Sequence, residues 1–152
     1  MYRKTIHSMQ RARAIRTVEY QALAELRYQI RRFLNFSEAA ARRVSVEPQQ
    51  HQLLLALHAM CLPERPTIRA VAERLQIQHN SAVELVKRSV ARGLVDRRVG
   101  RDDRREASLH ITPQGRRMLL RLSIAHRAEL RSAAPALLKA LKALLRRPRK
   151  RR

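Results

Sequence analysis

The sequence contains one cysteine, no tryptophan and three glycines, and its aromatic residues are three tyrosines and two phenylalanines. A lone thiol, Cys61, excludes an intramolecular disulfide and points to a reducing cytoplasm. With so few aromatics, a core must be assembled from Leu, Ala, Val and Ile, which suits packed helices better than a β-sandwich. Three glycines are also too few for an all-β chain with many tight turns. The longest aliphatic run, Leu53 to Leu57, falls far short of a membrane span. Basic residues near the N-terminus lead into no apolar stretch of the secretory kind. These absences predict a mostly helical, soluble, intracellular protein.

Acidic residues are scarce as well. Twelve Asp and Glu stand against 34 Lys and Arg, giving a formal net charge of +22. Such a field attracts polyanions. Residues 1–16 carry five basic side chains and 146–152 carry six, with no acidic residue in either stretch. The 17–145 segment is still left with a net charge of +11. The folded part is therefore expected to be basic itself, between a basic arm (1–16) and a basic tail (146–152).

Within 17–145 the hydrophobic period is helical at first. Leu23, Leu26, Ile30, Phe33 and Leu34 predict a long helix over about 18–43. Pro48 opens a second helix at its first position, where a missing N–H costs nothing, and Pro63 ends it. Thr67 is a good N-cap for a short helix carrying Ile68, Val71, Ala72 and Leu75. After a polar break at 76–80, a further helix places Ala82, Val83, Leu85, Val86, Ser89 and Val90 on one side. Asn80, Ser81, Glu84, Lys87, Arg88 and Arg92 fall on the other. Gly93 then supplies a left-handed stop.

Beyond Gly93 the period becomes that of strands. Residues 94–99 and 107–111 read as a β-hairpin, with Ala107, Leu109 and Ile111 facing inward. Their connection, Gly100 to Arg105, is polar and carries Arg101, Arg104 and Arg105. Thr112 and Pro113 start another long helix to about Arg131, Pro135 interrupts it, and Ala136 to Leu145 forms a terminal helix.

Two short helices joined by a turn, with Val71, Ala72, Leu75, Ile77, Ala82 and Leu85 apolar where they must cross, satisfy a helix-turn-helix. The free face of the second is polar and cationic, as a helix entering a major groove requires. A hairpin with a cationic tip directly after it is a wing, suited to an adjacent narrow minor groove. Base-edge candidates are Asn80 and Ser81, with Glu84 as an acceptor for a cytosine amino group. Arg69, Lys87, Arg88 and Arg92 are expected to hold phosphates and fix register.

At these residues the chain resembles the multiple-antibiotic-resistance regulator (MarR) family, over about residues 18–145. The resemblance rests on Ala22-Leu23-Ala24-Glu25-Leu26-Arg27-Tyr28, Pro48-Gln49-Gln50, Leu75-Gln76-Ile77 and Ser81-Ala82-Val83-Glu84-Leu85-Val86. It continues through Arg92-Gly93-Leu94-Val95, Asp103-Arg104-Arg105 and Leu109-His110-Ile111-Thr112-Pro113-Gln114-Gly115. It implies a winged helix-turn-helix over about 48–112 and a homodimer formed through helices at about 18–43 and 113–145. It further implies that Arg105 reads the minor groove and that Asp103 orients it. Three positions depart from the pattern: Glu84 replaces a frequent DNA-contacting arginine, Gln76 a frequent turn glycine, and Glu47 a stronger Thr cap.

Other chemistries find less support. Of six histidines, no two have the i, i+4 spacing of a zinc helix, so no metal or other cofactor is expected. His51 and His58, seven apart, share a helix face and are candidates to line one pocket. Tyr28 and Phe33 belong to an aromatic group with Tyr20 and Phe36, which stands open between plain core and the border of an effector site. The resemblance implies phenolic or lipophilic effectors there. Cys61 is expected to be a buried structural thiol rather than an oxidant sensor. The adjacent carboxylates Asp102 and Asp103 sit among arginines and do not suggest catalysis, so no enzymatic activity is expected. The apolar stripe of 137–145 is better matched to dimer packing than to a membrane surface. The expected partners are a near-palindromic double-stranded operator and a second copy, in a cytoplasmic, nucleoid-associated regulator that represses in response to a ligand or stress. A sequence-indifferent protein that coats DNA is the alternative.

Overall fold

The computed structural model describes residues 15–60, 66–99 and 107–145. Seven elements follow in order: α1 (Thr17–Arg43), α2 (Pro48–Ala59), α3 (Ile68–Leu75), α4 (His79–Ala91), β1 (Val95–Val99), β2 (Ala107–Ile111) and α5 (Pro113–Leu145). Contacts divide the chain into two units, 34–130 and the pair of segments 1–33 and 131–152.

The core of the 34–130 unit draws on six elements. Leu53, Leu54 and Leu57 of α2, Val71 and Ala72 of α3, and Ala82, Leu85 and Val86 of α4 close around Leu94, Val95, Leu109, Ile111 and Leu119. A second cluster joins Ala40, Ala41, Val46 and Leu122, flanked by Phe36, Val44 and Met118. Aliphatic side chains fill both, as the scarcity of aromatics requires.

The caps follow the sequence closely. Thr67 Oγ1 accepts from the Ala70 N–H at 3.2 Å, and Gly93 ends α4 at φ +65°. Glu47 precedes α2 in extended backbone, and Gln50 Oε1 accepts from its N–H at 3.1 Å. Gln76 takes the left-handed conformation at φ 54°, at a cost of about 1 kcal/mol that a glycine would avoid.

The strands pair antiparallel, Val95 with Ile111 through to Val99 with Ala107. Leu109 and Ile111 are buried as expected, but Ser108 is buried too. Its hydroxyl donates to the Arg98 carbonyl at 3.3 Å and meets His110 Nε2 at 3.0 Å, which satisfies a polar group on the nominally open face. The hairpin is fastened at its base. Thr112 Oγ1 donates to the Gly93 carbonyl at 2.6 Å and accepts from the Gly115 N–H at 3.0 Å, and the Leu109 N–H donates to the Pro66 carbonyl at 2.8 Å.

The break expected at Pro135 is absent: α5 runs unbroken to Leu145 with the proline inside it. Pro135 and Arg131 are both exposed, so the Arg131 carbonyl that loses its helical donor remains within reach of water. The buried positions Leu119, Leu122, His126, Ala133 and Ala140 also keep one phase across the proline. Packing holds the helix where propensity would end it.

In the other unit, burial recurs at seven-residue steps: Ala22 and Gln29 on α1, Ala133 and Ala140 on α5. That spacing marks a helix–helix seam. Outside it, Val18, Tyr20, Leu23, Tyr28 and Ile30 on α1, and Leu138, Leu141 and Leu145 on α5, are exposed. Among the described residues, no helix is long and apolar enough to cross a membrane.

Candidate nucleic-acid interface

α4 is anchored by its inner side. Ala82, Leu85, Val86 and Ser89 are buried, and the Ser89 hydroxyl donates to the Leu85 carbonyl at 2.8 Å, so no unsatisfied polar group enters the core. Val83 is half-buried and Val90 is exposed, against the expectation that both face inward. Val90 lies in the last turn, beyond the reach of the α3 crossing.

The outer side presents His79, Asn80, Ser81, Glu84, Lys87 and Arg88, all exposed. No side chain caps the first turn of α4. Its leading N–H groups and the positive end of its dipole are therefore available to an anion such as a phosphate. His79 is a further exposed donor or acceptor at this end; its place at the first helical residue was the sequence signal for it.

Each expected phosphate-holding cation has a partner within the chain. Arg69 Nε lies 3.2 Å from Glu73 Oε1 within α3, and Lys87 Nζ 2.8 Å from Glu84 Oε1 within α4. Both pairs are highly exposed, a setting in which water and salt screen an ion pair and leave it little net strength. A phosphate can displace such a partner. The Lys87 hydrogen bond, followed by its charge, holds the Glu84 carboxyl below the usual carboxylate range. Glu84 is thus an obligate acceptor, the property that contact with a cytosine amino group demands.

Arg88 and Arg92 behave differently, reaching across to the turn between α1 and α2. Arg88 Nε approaches Glu47 Oε2 at 3.4 Å, and Arg92 Nη2 donates to the Ser45 carbonyl. These partners lie 41 and 47 residues away in sequence, and no local pattern announces them.

The wing residues Arg101, Asp103, Arg104 and Arg105 lie outside the described residues, as do Cys61, residues 1–14 and the tail 146–152. The ladder above them is described as far as Val99 and Ala107.

The histidine pair expected to share a pocket is divided. His51 is buried and His58 exposed, although Leu57 beside it is buried in the core. His51 instead faces His126 of α5, ring centroids 4.6 Å apart. His126 Nδ1–H donates to the Leu122 carbonyl, and Nε2 lies 2.7 Å from the Ser37 hydroxyl. Phe36 meets the His126 ring edge-on at 5.7 Å. His51 Nδ1 and Gln50 Nε2 are buried and have no hydrogen-bond partner among the described residues. Tyr28 and Phe33 lie in the other unit, Tyr28 exposed and Phe33 half-buried. Among the described residues, no group of three or more His, Cys, Asp or Glu is placed to hold a metal ion.

Comparison with known proteins bears on this geometry. No curated protein matches the chain. Among solved structures, it is similar to a MarR family transcription regulator, SP03579, at 21% identity and TM-score 0.68, over 82% of this chain and 86% of that one. It is similar to MepR of Staphylococcus aureus in complex with DNA, at 19% identity and TM-score 0.63, over 78% and 88%. The transcriptional repressor CouR, bound to a 23-mer DNA duplex, is 28% identical with TM-score 0.60, over 79% and 88%. Residues 45–106 match the MarR family model. The segment 45–106 is thus similar to the MarR family, and the chain shares the fold of these solved regulators.

Proposed function

We propose that the protein is a sequence-specific, double-stranded DNA-binding transcriptional regulator that acts as a homodimer. One observation carries this reading: α4 buries Ala82, Leu85, Val86 and Ser89 on one side and offers an exposed polar and cationic side with an uncapped N-terminal turn, within a MarR-family fold. On this reading Asn80 and Ser81, both exposed, reach base edges, Glu84 accepts from a cytosine, and Arg69 and Lys87 meet phosphates. Arg101, Arg104 and Arg105, with Asp103 as the orienting carboxylate, complete the surface on sequence grounds. DNA complexes of MepR and CouR, two proteins of similar fold, support the assignment.

The dimer is supported by the exposed apolar side chains of α1 and α5, which one small unit leaves in water. A second copy would cover them and place two α4 helices on a near-palindromic site. Repression under the control of a small lipophilic effector extends the reading, and the cytoplasm is its setting.

Selection of bound duplexes from a random pool, followed by footprinting, tests the proposal. The expected result is one enriched sequence with two protected half-sites about one helical turn apart. Uniform protection without enrichment would support a DNA-coating protein instead.

A further inference from the structure

Arg88 lies in the last turn of α4 and Arg92 caps its C-terminal end, and both guanidinium groups reach the turn at 44–47. The turn is built to receive them. Ser45 is left-handed at φ 57°, the Ser45 N–H donates to the Arg42 carbonyl at 2.9 Å and the Val46 N–H to the Ala41 carbonyl at 3.0 Å. The helix end is closed in this way, and the Ser45 carbonyl is left pointing outward at the negative end of the α1 dipole. Arg92 takes that carbonyl. Glu47, two residues on, turns its carboxylate to Arg88 while its own N–H is held by Gln50. Two cations from one helix thus grip one turn through a backbone carbonyl and a side chain.

Arg69–Glu73 and Lys87–Glu84 link residues of the same helix and fix nothing beyond it. The Arg88 and Arg92 contacts link α4 to the α1–α2 turn and so constrain how α4 is presented. We propose that Arg88 and Arg92 are positioning residues, which with Glu47 and the Ser45 carbonyl form a clasp that sets the angle of α4 for base reading, rather than phosphate contacts. This inference rests on the proposed DNA-binding function. The clasp acts on discrimination: a loosened α4 still meets phosphates but holds its base-edge side chains less well.

The test measures affinity of the full chain for the selected operator and for a scrambled duplex, as a function of salt, for wild type, Arg88→Ala, Arg92→Ala, Glu47→Gln and Arg88→Ala/Glu47→Gln. A positioning role predicts salt slopes equal to wild type and a fall of about threefold or more in the operator-to-scrambled ratio for each single variant. The double variant should lose no more than Arg88→Ala alone. A phosphate role predicts a slope shallower by about 0.9 for each phosphate no longer neutralised, with both duplexes weakened alike; that result would overturn the clasp. Glu47→Gln separates the readings further. If Glu47 merely competes with phosphate for Arg88, its loss tightens both duplexes equally and leaves the ratio unchanged, which also overturns the proposal. A lowered melting temperature with an intact ratio would reduce the clasp to fold stability and overturn it too. Should wild type fail to discriminate, the regulator reading falls, while slopes on scrambled duplex still decide between clasp and phosphate binding.

Discussion

The imidazole rings of His51 and His126 lie 4.6 Å apart in the interior of the 34–130 unit, and His51 Nδ1 has no hydrogen-bond partner among the described residues. Burial, and secondarily the neighbouring His126, lowers the His51 pKa to about 4 from an ordinary 6.5. The unfolded chain therefore takes up a proton between those values that the folded chain refuses. Stability from this group is complete above pH 6.5 and falls as the pH drops towards 4, by up to about 3 kcal/mol. Urea unfolding at pH 7, 5 and 4 checks this. His51→Gln should flatten the profile relative to wild type; parallel profiles would show that the buried imidazole does not titrate as described.

Gly115 is required by close approach. A β-carbon there would stand 2.2 Å from the Leu94 carbonyl oxygen and 2.8 Å from Ile111 Cγ2. The carbonyl is fixed, since it accepts from the Thr112 N–H at 3.1 Å. Gly115→Ala should separate the start of α5 from the base of the wing and cost about 2–4 kcal/mol. Thermal or urea unfolding measures it, and a loss below about 0.5 kcal/mol would mean that the junction yields.

The same junction shows what could be read in the sequence. Thr112 and Pro113 each carry a local instruction (a cap and a first-turn proline), and the start of α5 follows from them; the need for Gly115 arises from a contact with Leu94 that no local pattern records. The α3–turn–α4 unit was legible because Val71, Ala72, Ala82 and Leu85 fix both helical phases. The unbroken α5 was not, since Pro135 has a strong local preference and only the continuing phase of Ala133 and Ala140 opposes it. His58 shares the helical phase of His51, and sequence period does not record that His51 meets His126 of α5. The Arg92–Ser45 contact ends on a backbone carbonyl, which any residue supplies, so no residue type could announce it.

At the wing, Arg105 is expected from sequence to read the minor groove, with Asp103 directing its guanidinium group. Arg105→Ala should weaken operator binding by about 1–3 kcal/mol with dimer mass and helical content unchanged. The loss should shrink when flanking A·T pairs are replaced by G·C, because the narrow groove is then absent. Asp103→Ala should give a milder form of the same defect. Equal losses for Arg105→Ala on both flanks would reduce Arg105 to a phosphate contact.

Asn80 is the residue through which base reading by α4 is best measured. Asn80 is exposed in the first turn of α4, and an asparagine amide pairs through two hydrogen bonds with the major-groove edge of adenine. Repeating the duplex selection with Asn80→Ala, and measuring both proteins on the wild-type operator and on scrambled DNA, isolates that interaction. A loss of about 1–3 kcal/mol is expected on the operator and none on scrambled DNA. The selected sequence should relax at one symmetric position and remain unchanged elsewhere. An equal loss on both duplexes, or an unaltered selected sequence, would contradict base reading by this helix.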